Sequence, residues 1–267
     1  MKKNNFISIL ISNYNKEKYL NKCLLSTIKQ NYKNYEILIY DDKSTDNSNS
    51  IIEKFKKIRL IKNKRKKKMN SSPLNQLRAI IEAFKGSKGK IICLLDSDDL
   101  FKPNKLKKIN SYFNLNPKKL FVANFPETKK TFLLKRIRTS RSTWPTVFPT
   151  SCISFKRKFF IEFLKNCKKN EFPNLEIDAR LIIFAHHFYD DLNIVRDKLT
   201  KYTYDRRGIS SLYKKYSLSW WLKRSEAFEY LRFILNKRKT KFITSLDFYI
   251  TIMTSFFAKI IKGIKCY

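Results

Sequence analysis

Lys90-Ile91-Ile92-Cys93-Leu94-Leu95-Asp96-Ser97-Asp98-Asp99 is an apolar run that ends in three carboxylates. A short apolar run of this kind reads as a strand buried on both faces. Clustered carboxylates repel one another, and desolvation at a strand end adds to their cost. The chain is otherwise short of acid, with 58 Lys and Arg against 22 Asp and Glu. In such a chain Asp96, Asp98 and Asp99 read as ligands for a hard divalent cation, Mn2+ or Mg2+, which in turn holds phosphates. The competing reading is a solvated turn whose Asp side chains cap a following helix.

Outward from this run, strands and helices alternate. Phe6 to Ser12, Tyr35 to Tyr40 and Ile58 to Ile61 read as strands. Helical spacing covers residues 17–30, 46–57, 74–85 and 103–114, the third behind Pro73 and the fourth behind Pro103. This order predicts a parallel sheet with crossover helices. Such sheets bind ligands beyond the carboxyl ends of their strands. Three strand ends are polar here: Ser12 to Asn15, Asp41-Asp42 and Asp96 to Asp99. No G-x-G-x-x-G follows the first strand, and the chain has only 4 Gly, which argues against a dinucleotide site or a P-loop. The second half is less regular. It carries a helix over Leu175 to Phe188 with Asp178 in its first turn, two strands at Ile194-Val195 and Leu199 to Tyr204, and helical pattern from Leu218 onward.

The 267 residues suffice for one large or two small domains, and 43% hydrophobic residues support a packed core. The formal net charge of +36 fits a nucleic-acid binder, a membrane-surface protein, or compositional drift toward Lys, Asn and Ile. Lysines spread along the whole chain favour drift with some membrane attraction, and the densest run, Lys62 to Lys68, reads as a solvated loop. Cysteines at 23, 93, 152, 167 and 266 form no C-x-x-C pair. Neither a disulfide framework nor a zinc site is indicated, which fits a reducing compartment. No signal peptide is evident at the N-terminus.

Ile9-Leu10-Ile11-Ser12-Asn13-Tyr14-Asn15, then Tyr40-Asp41-Asp42-Lys43-Ser44-Thr45-Asp46-Asn47-Ser48, then Leu95-Asp96-Ser97-Asp98-Asp99 resemble family 2 glycosyltransferases. The likeness is most specific over residues 6–106. It continues more weakly to about residue 212 through Pro149-Thr150-Ser151, Phe155-Lys156-Arg157, Asp178-Ala179-Arg180-Leu181 and Tyr202 to Ser211. The resemblance implies the α/β GT-A fold, a Rossmann-like, mostly parallel sheet flanked by helices, followed here by a C-terminal helical extension. It divides the chain into a glycosyltransferase domain over 1–212 and the extension over 213–267. Within the domain, residues 1–115 would bind the nucleotide and residues 116–212 the acceptor.

The same resemblance implies roles. Ser12 and Tyr14 line the nucleoside pocket, and Asp42, with Asp41 beside it, accepts from the base. Asp96 and Asp98 form the Asp-x-Asp motif, and Asp98 and Asp99 reach the ribose and the metal. Which of the three carboxylates touches the cation stays open. Asp178 falls at the catalytic base. Some relatives carry another acid just before it, where Ile177 stands here, with Glu176 one residue further back. The implied activity is that of an inverting, metal-dependent hexosyltransferase, with a nucleotide-sugar donor (a UDP-sugar) and a glycan or lipid-linked acceptor in cell-surface glycan assembly. The implied setting is cytoplasmic, extending to the inner face of the membrane.

The chemistry agrees with two acidic stations. Cleavage of a glycosyl–phosphate bond loads charge onto a diphosphate, which a cation neutralises. An acceptor hydroxyl needs a carboxylate to take its proton. Other candidates weigh less. His186 and His187 precede Asp190 and Asp191, but adjacent helical residues point about 100° apart and do not readily share one ion. Arg206-Arg207 suits diphosphate as a fork but reads first as surface, as does Arg78. Trp220-Trp221 reads as core or interface anchors. The Gln-x-x-Arg-Trp motif of processive synthases is not found. Phe242 to Ile261, with basic flanks at Lys237-Arg238-Lys239 and at Lys262 and Lys265, either packs on the enzyme body or lies on an anionic bilayer. A nucleic-acid binder and an inactive scaffold of the same fold are the rivals, and the acids at the strand ends speak against specific nucleic-acid binding.

Overall fold

The computed structural model describes residues 4–65, 69–128, 144–189, 192–205, 208–237 and 246–261. Asp190, Asp191, Arg206, Arg207, Arg238, Lys239, Lys262, Lys265, Cys266 and the end of the Lys62 to Lys68 run lie outside the described residues. The first half alternates as its pattern predicts: β1 (Ile7–Asn13), α1 (Glu17–Ile28), β2 (Tyr35–Asp41), α2 (Ser48–Glu53), β3 (Ile58–Lys62), α3 (Ser72–Gly86) and β4 (Ile91–Asp96). There follow β5 (Leu100–Phe101), α4 (Lys105–Leu115), β6 (Phe121–Glu127), β7 (Ile153–Lys156), α5 (Arg157–Asn166), α6 (Ile177–Phe188), β8 (Ile194–Lys201), α7 (Leu218–Lys237) and α8 (Leu246–Ile261).

One eight-stranded sheet takes the order β3-β2-β1-β4-β7-β6-β8-β5. The β3-β2-β1-β4 half is parallel throughout. β7 joins it antiparallel to β4, and the far half is mixed. The sheet therefore runs without a break across residue 115. β1 and β4 are neighbours, although the chain leaves β1 toward β2 on the other side. A cleft forms beyond the carboxyl ends of two strands at such a reversal.

Strand alternation divides the core between the two faces of the sheet. Leu10, Leu38, Ile92 and Leu94 face one way, into a cluster with α3, α5, α6 and α7 that is rich in stacked Phe, such as Phe155 and Phe160. Ile9, Ile11, Ile39, Cys93 and Leu95 face the other, against Leu20 and Leu24 of α1 and Leu106 and Ile109 of α4. Burial on both faces is why these strands are continuous apolar runs. The four described cysteines, 23, 93, 152 and 167, are all free and buried.

Local chemistry sets the helix starts. Ser71 accepts from Leu74 N at 3.1 Å, and Pro73 occupies the first turn of α3. α2 is shorter than the residues 46–57 read from the sequence. Asp46, just ahead of its N-cap Asn47, accepts from Ser48 N at 3.0 Å, and the last residue the helix buries is Ile52. The two strands read at Ile194-Val195 and Leu199 to Tyr204 are one strand, β8. Its middle, Arg196-Asp197-Lys198, is exposed and resembles a turn in composition, while the backbone passes through with register irregularities against β6.

Buried charge knits the second half. Lys105 is fully buried, and its Nζ donates to Ser151 O at 2.6 Å, Thr200 Oγ1 at 2.9 Å and Asn124 Oδ1 at 3.0 Å. Burial lowers its pKa to about 8. Arg180, also fully buried, donates to the carbonyls of Lys168, Glu171, Phe172 and Leu175 and so gathers the loop that leads into α6. Beyond α6, Arg224 of α7 donates to Thr251 Oγ1 of α8 at 3.0 Å. Thr251 and Ser255 of α8 are buried, whereas Tyr249, Ile250, Met253, Phe256, Phe257, Ile260 and Ile261 are exposed. At 100° per residue these apolar side chains share an arc of about 140° that points away from the body.

Close approach fixes one glycine. A Cβ on Gly89, just ahead of β4, would stand 2.4 Å from Ser8 N and 2.5 Å from Ser8 Oγ. On Gly86 it would meet only side-chain atoms, at 3.2 to 3.4 Å. Gly89→Ala is therefore expected to lower unfolding stability in urea by about 1–3 kcal/mol, the cost of overpacking. Gly86→Ala should fall within about 0.5 kcal/mol of wild type, the range of substitutions without such a clash. Equal midpoints for the two variants would contradict the assigned β1–β4 approach.

Candidate active site

The carboxyl edge at the ends of β1, β2 and β4 gathers Ser12, Tyr14, Asp41, Asp42, Asp96, Asp98 and Asp99. In the β-register Ser12 lies between Tyr40 and Asp96, and Asn13 pairs with Asp41. The acids are held apart by different partners.

Asp41 is buried and engaged locally. Its Oδ1 accepts from Asn13 Nδ2 at 2.8 Å and Ser44 Oγ at 2.6 Å, and its Oδ2 accepts from Ser44 N at 2.9 Å. It shapes the turn in which Lys43 takes φ 59°. Asp42 is also buried and accepts from Asn63 Nδ2 at 2.7 Å. Tyr14, just beyond β1, is 49% exposed.

The three aspartates at and just after the end of β4 take different partners. Asp96 Oδ1 accepts from Gln76 Nε2 at 2.7 Å and from Ser12 Oγ at 3.3 Å. Desolvation, with the charge of Asp98, pushes its pKa up to about 6. Asp99 is fully buried and accepts from Thr203 N at 2.7 Å. Burial first, then Asp98 and Asp96, raise its pKa well above the carboxylate range, which favours the neutral acid. Asp98 turns to Lys16: Lys16 Nζ lies 2.6 Å from Asp98 Oδ2 and 2.6 Å from Asp205 Oδ2. Burial opposes the charge on Lys16, but the two carboxylates outweigh it and raise its pKa.

Among the described residues no three His, Cys, Asp or Glu side chains converge as a metal-holding group. What converges is the pair Asp98 and Asp205, on a point that a cation occupies. That donor set suits a hard divalent ion, because Mg2+-type sites use one or two carboxylates and take further oxygens from phosphates and water. His186 and His187 cross at 87° with ring centroids 4.5 Å apart, at the end of α6.

Asp178 enters from the first turn of α6. Burial pushes its pKa up to about 7, Glu176 adds to the rise, Lys223 opposes it, and Asp96 is near enough to contribute. Glu176 is ion-paired to Lys223 of α7. The carboxyl that the sequence singled out thus sits in a charge environment completed by a helix of the extension.

Lys16, Gln76, Asp205 and Lys223 were missed in the sequence. Only Asp205 carried a local hint, beside the Arg206-Arg207 pair. The others are one Lys or Gln among many, picked out by contacts with residues distant in the chain.

The family model for glycosyl transferase family 2 matches residues 8–182. An uncharacterized glycosyltransferase of Nostoc sp. is 36% identical over 107 residues, covering 40% of this chain and 32% of the relative. An Escherichia coli relative, "UDP-Glc:alpha-D-GlcNAc-diphosphoundecaprenol beta-1,3-glucosyltransferase WfgD", is 34% identical over 101 residues, covering 38% of each chain. The chain thus spans about a third of the length of the curated relatives it matches. The fold is similar to that of Staphylococcus aureus TarS in complex with UDP-GlcNAc (TM-score 0.61, 16% identity, 95% of this chain and 72% of that one). It is also similar to that of mannosyltransferase PcManGT from Pyrobaculum calidifontis in complex with GDP-Man and Mn2+ (TM-score 0.62, 16% identity, 96% and 74%). The architecture is the GT-A fold. With its three strand-end motifs and a family match over most of its length, the chain belongs to glycosyl transferase family 2.

Proposed function

We propose that the protein transfers a sugar, with inversion, from a UDP-sugar to a hydroxyl of a glycan or lipid-linked acceptor, using Mn2+ or Mg2+. The observation that carries this is the pair of acidic stations: Asp98, turned onto a cation position at the end of β4, and Asp178 at the start of α6, whose carboxyl pKa is pushed up by desolvation and whose neighbours include Asp96 and the Glu176–Lys223 pair. The UDP donor and the lipid-linked acceptor are supported by the E. coli relative's name, and the metal by the Mn2+ complex of the P. calidifontis neighbour.

In this reading Tyr14 offers its ring to the base, Ser12 lines the pocket, and Asp42 accepts from the base while Asp41 braces the turn behind it. Asp98 holds the cation, with Asp96 and Asp99 setting the loop on either side. A divalent ion bound there would neutralise charge on the departing diphosphate. Asp178 takes the proton of the acceptor hydroxyl as it attacks the anomeric carbon opposite the leaving group, which inverts that centre.

Asp178→Asn should lower kcat by about 10²–10⁴-fold, the typical contribution of general-base catalysis, while UDP affinity stays unchanged. Full turnover in this variant would remove Asp178 from the role. Since the base must be ionised, kcat should climb as pH rises through about 7. In Lys223→Met, which removes the charge that holds the pKa down, the climb should move to higher pH. A pH profile identical to wild type would show that Lys223 does not tune the base.

The setting extends the proposal to an anionic membrane surface. No helix among the described residues is long and apolar enough to cross a membrane. α8 instead buries Thr251 and Ser255 and turns Ile250, Phe256, Phe257, Ile260 and Ile261 outward, and the chain carries a net charge of +36. An outward apolar arc on a strongly basic protein matches an acyl boundary beneath acidic headgroups. The protein should co-sediment with phosphatidylglycerol vesicles and far less with phosphatidylcholine, and Phe256→Asp with Phe257→Asp should reduce binding at least about tenfold. Binding indifferent to both changes would sink the membrane assignment, as would an α8-dependent dimer that binds no vesicles.

A further inference from the structure

Lys16, Asp98 and Asp205 come from three distant places: the turn ahead of α1, the loop after β4 and the loop after β8. Lys16 and Asp205 are 189 residues apart in the chain. Their side chains are 17%, 15% and 11% exposed, so the group lies largely out of solvent. Two carboxylates facing a common point repel one another unless a cation stands between them. Here that cation is an ammonium group, 2.6 Å from an oxygen of each.

A divalent ion takes carboxylate oxygens at about 2.0–2.1 Å for Mg2+. A slight inward movement of both side chains would therefore fit it in the place of Nζ. Lysine suits a cation that must leave: its charge is compact and its four-carbon stem flexible, whereas a guanidinium fork would hold both carboxylates rigidly. Resting on the metal-dependent reading above, we propose that Asp205 joins Asp98 as a ligand of the donor's divalent cation. Lys16 is the built-in cation that keeps these two carboxylates assembled until the ion displaces it.

Two consequences follow from competition between Lys16 and the metal. The ion alone must displace an internal counter-ion and therefore binds weakly. The nucleotide diphosphate supplies extra oxygens and tips the exchange, so metal and UDP strengthen each other's binding by the same factor.

The experiment is calorimetric titration of Mn2+ into the full chain, with and without saturating UDP, for wild type, Lys16→Met and Asp205→Asn, with a melting temperature for each. Wild type should bind Mn2+ more tightly with UDP than without. Lys16→Met should melt lower without metal, bind Mn2+ alone about tenfold more tightly or better, and gain more melting temperature from Mn2+ than wild type does. Asp205→Asn should bind Mn2+ in the presence of UDP at least about tenfold more weakly. If Lys16→Met binds Mn2+ alone no better than wild type, or Asp205→Asn loses no affinity, the inference is overturned. If Lys16→Met does not fold, Asp205→Asn decides by itself, with unchanged affinity overturning the proposal. A wild-type chain that binds UDP but no Mn2+ would instead bring down the metal-dependent reading on which this rests.

Discussion

Negative charge gathered at the carboxyl edge of a sheet buried on both faces is the constraint to which the rest of this structure answers. The edge is where β1 and β4 diverge and where a cleft must form. Each carboxylate there needs its own solution. Asp41 is absorbed into a turn by Asn13 and Ser44. Asp96 is held by Gln76 and Ser12. Asp99 is buried so thoroughly that the neutral acid is favoured. Asp98 turns to a cation, Lys16, which it shares with Asp205. One deeply buried, one hydrogen-bonded and one ion-paired aspartate in four residues is how the repulsion among them is relieved.

The edge was legible in the sequence because its determinants are local. Apolar runs of β1, β2 and β4 announce strands buried on both faces, and the Asn, Asp and Ser residues after them announce turns. Asp178 was singled out through the family resemblance of Asp178-Ala179-Arg180-Leu181, and the pattern alone placed it only in the first turn of a helix. The partners that set the chemistry of these residues were not. Lys16 is one of 58 basic residues, and nothing near it in sequence indicates a contact with Asp205. Lys105 and Arg180 look like surface residues by type yet are wholly buried, because four carbonyls receive the guanidinium and three oxygens the ammonium. The exposed middle of β8 misled for a related reason. A strand that is solvated in its centre has no apolar alternation to read.

The C-terminal helices extend the body beyond the residues that the family model matches. α7 supplies Lys223, whose pairing with Glu176 brings a positive charge close to Asp178. α8 packs on α7 by its small polar face. A helix that buries Thr and Ser while exposing Phe and Ile has the reverse of the usual pattern for a water-exposed helix. The charge environment of Asp178 and the outward apolar arc are therefore joined through one helix pair, which ties the start of α6 to the surface that α8 presents.

The most direct test of the central claim is the anomalous-scattering map of crystals of the full chain grown with Mn2+ and UDP. The account requires a manganese peak within about 2.0–2.2 Å of an Asp98 carboxylate oxygen, as for a hard-cation site, with the diphosphate on its far side. A diphosphate seated in the cleft with no manganese at Asp98, or with the ion bound at another place on the protein, would contradict it.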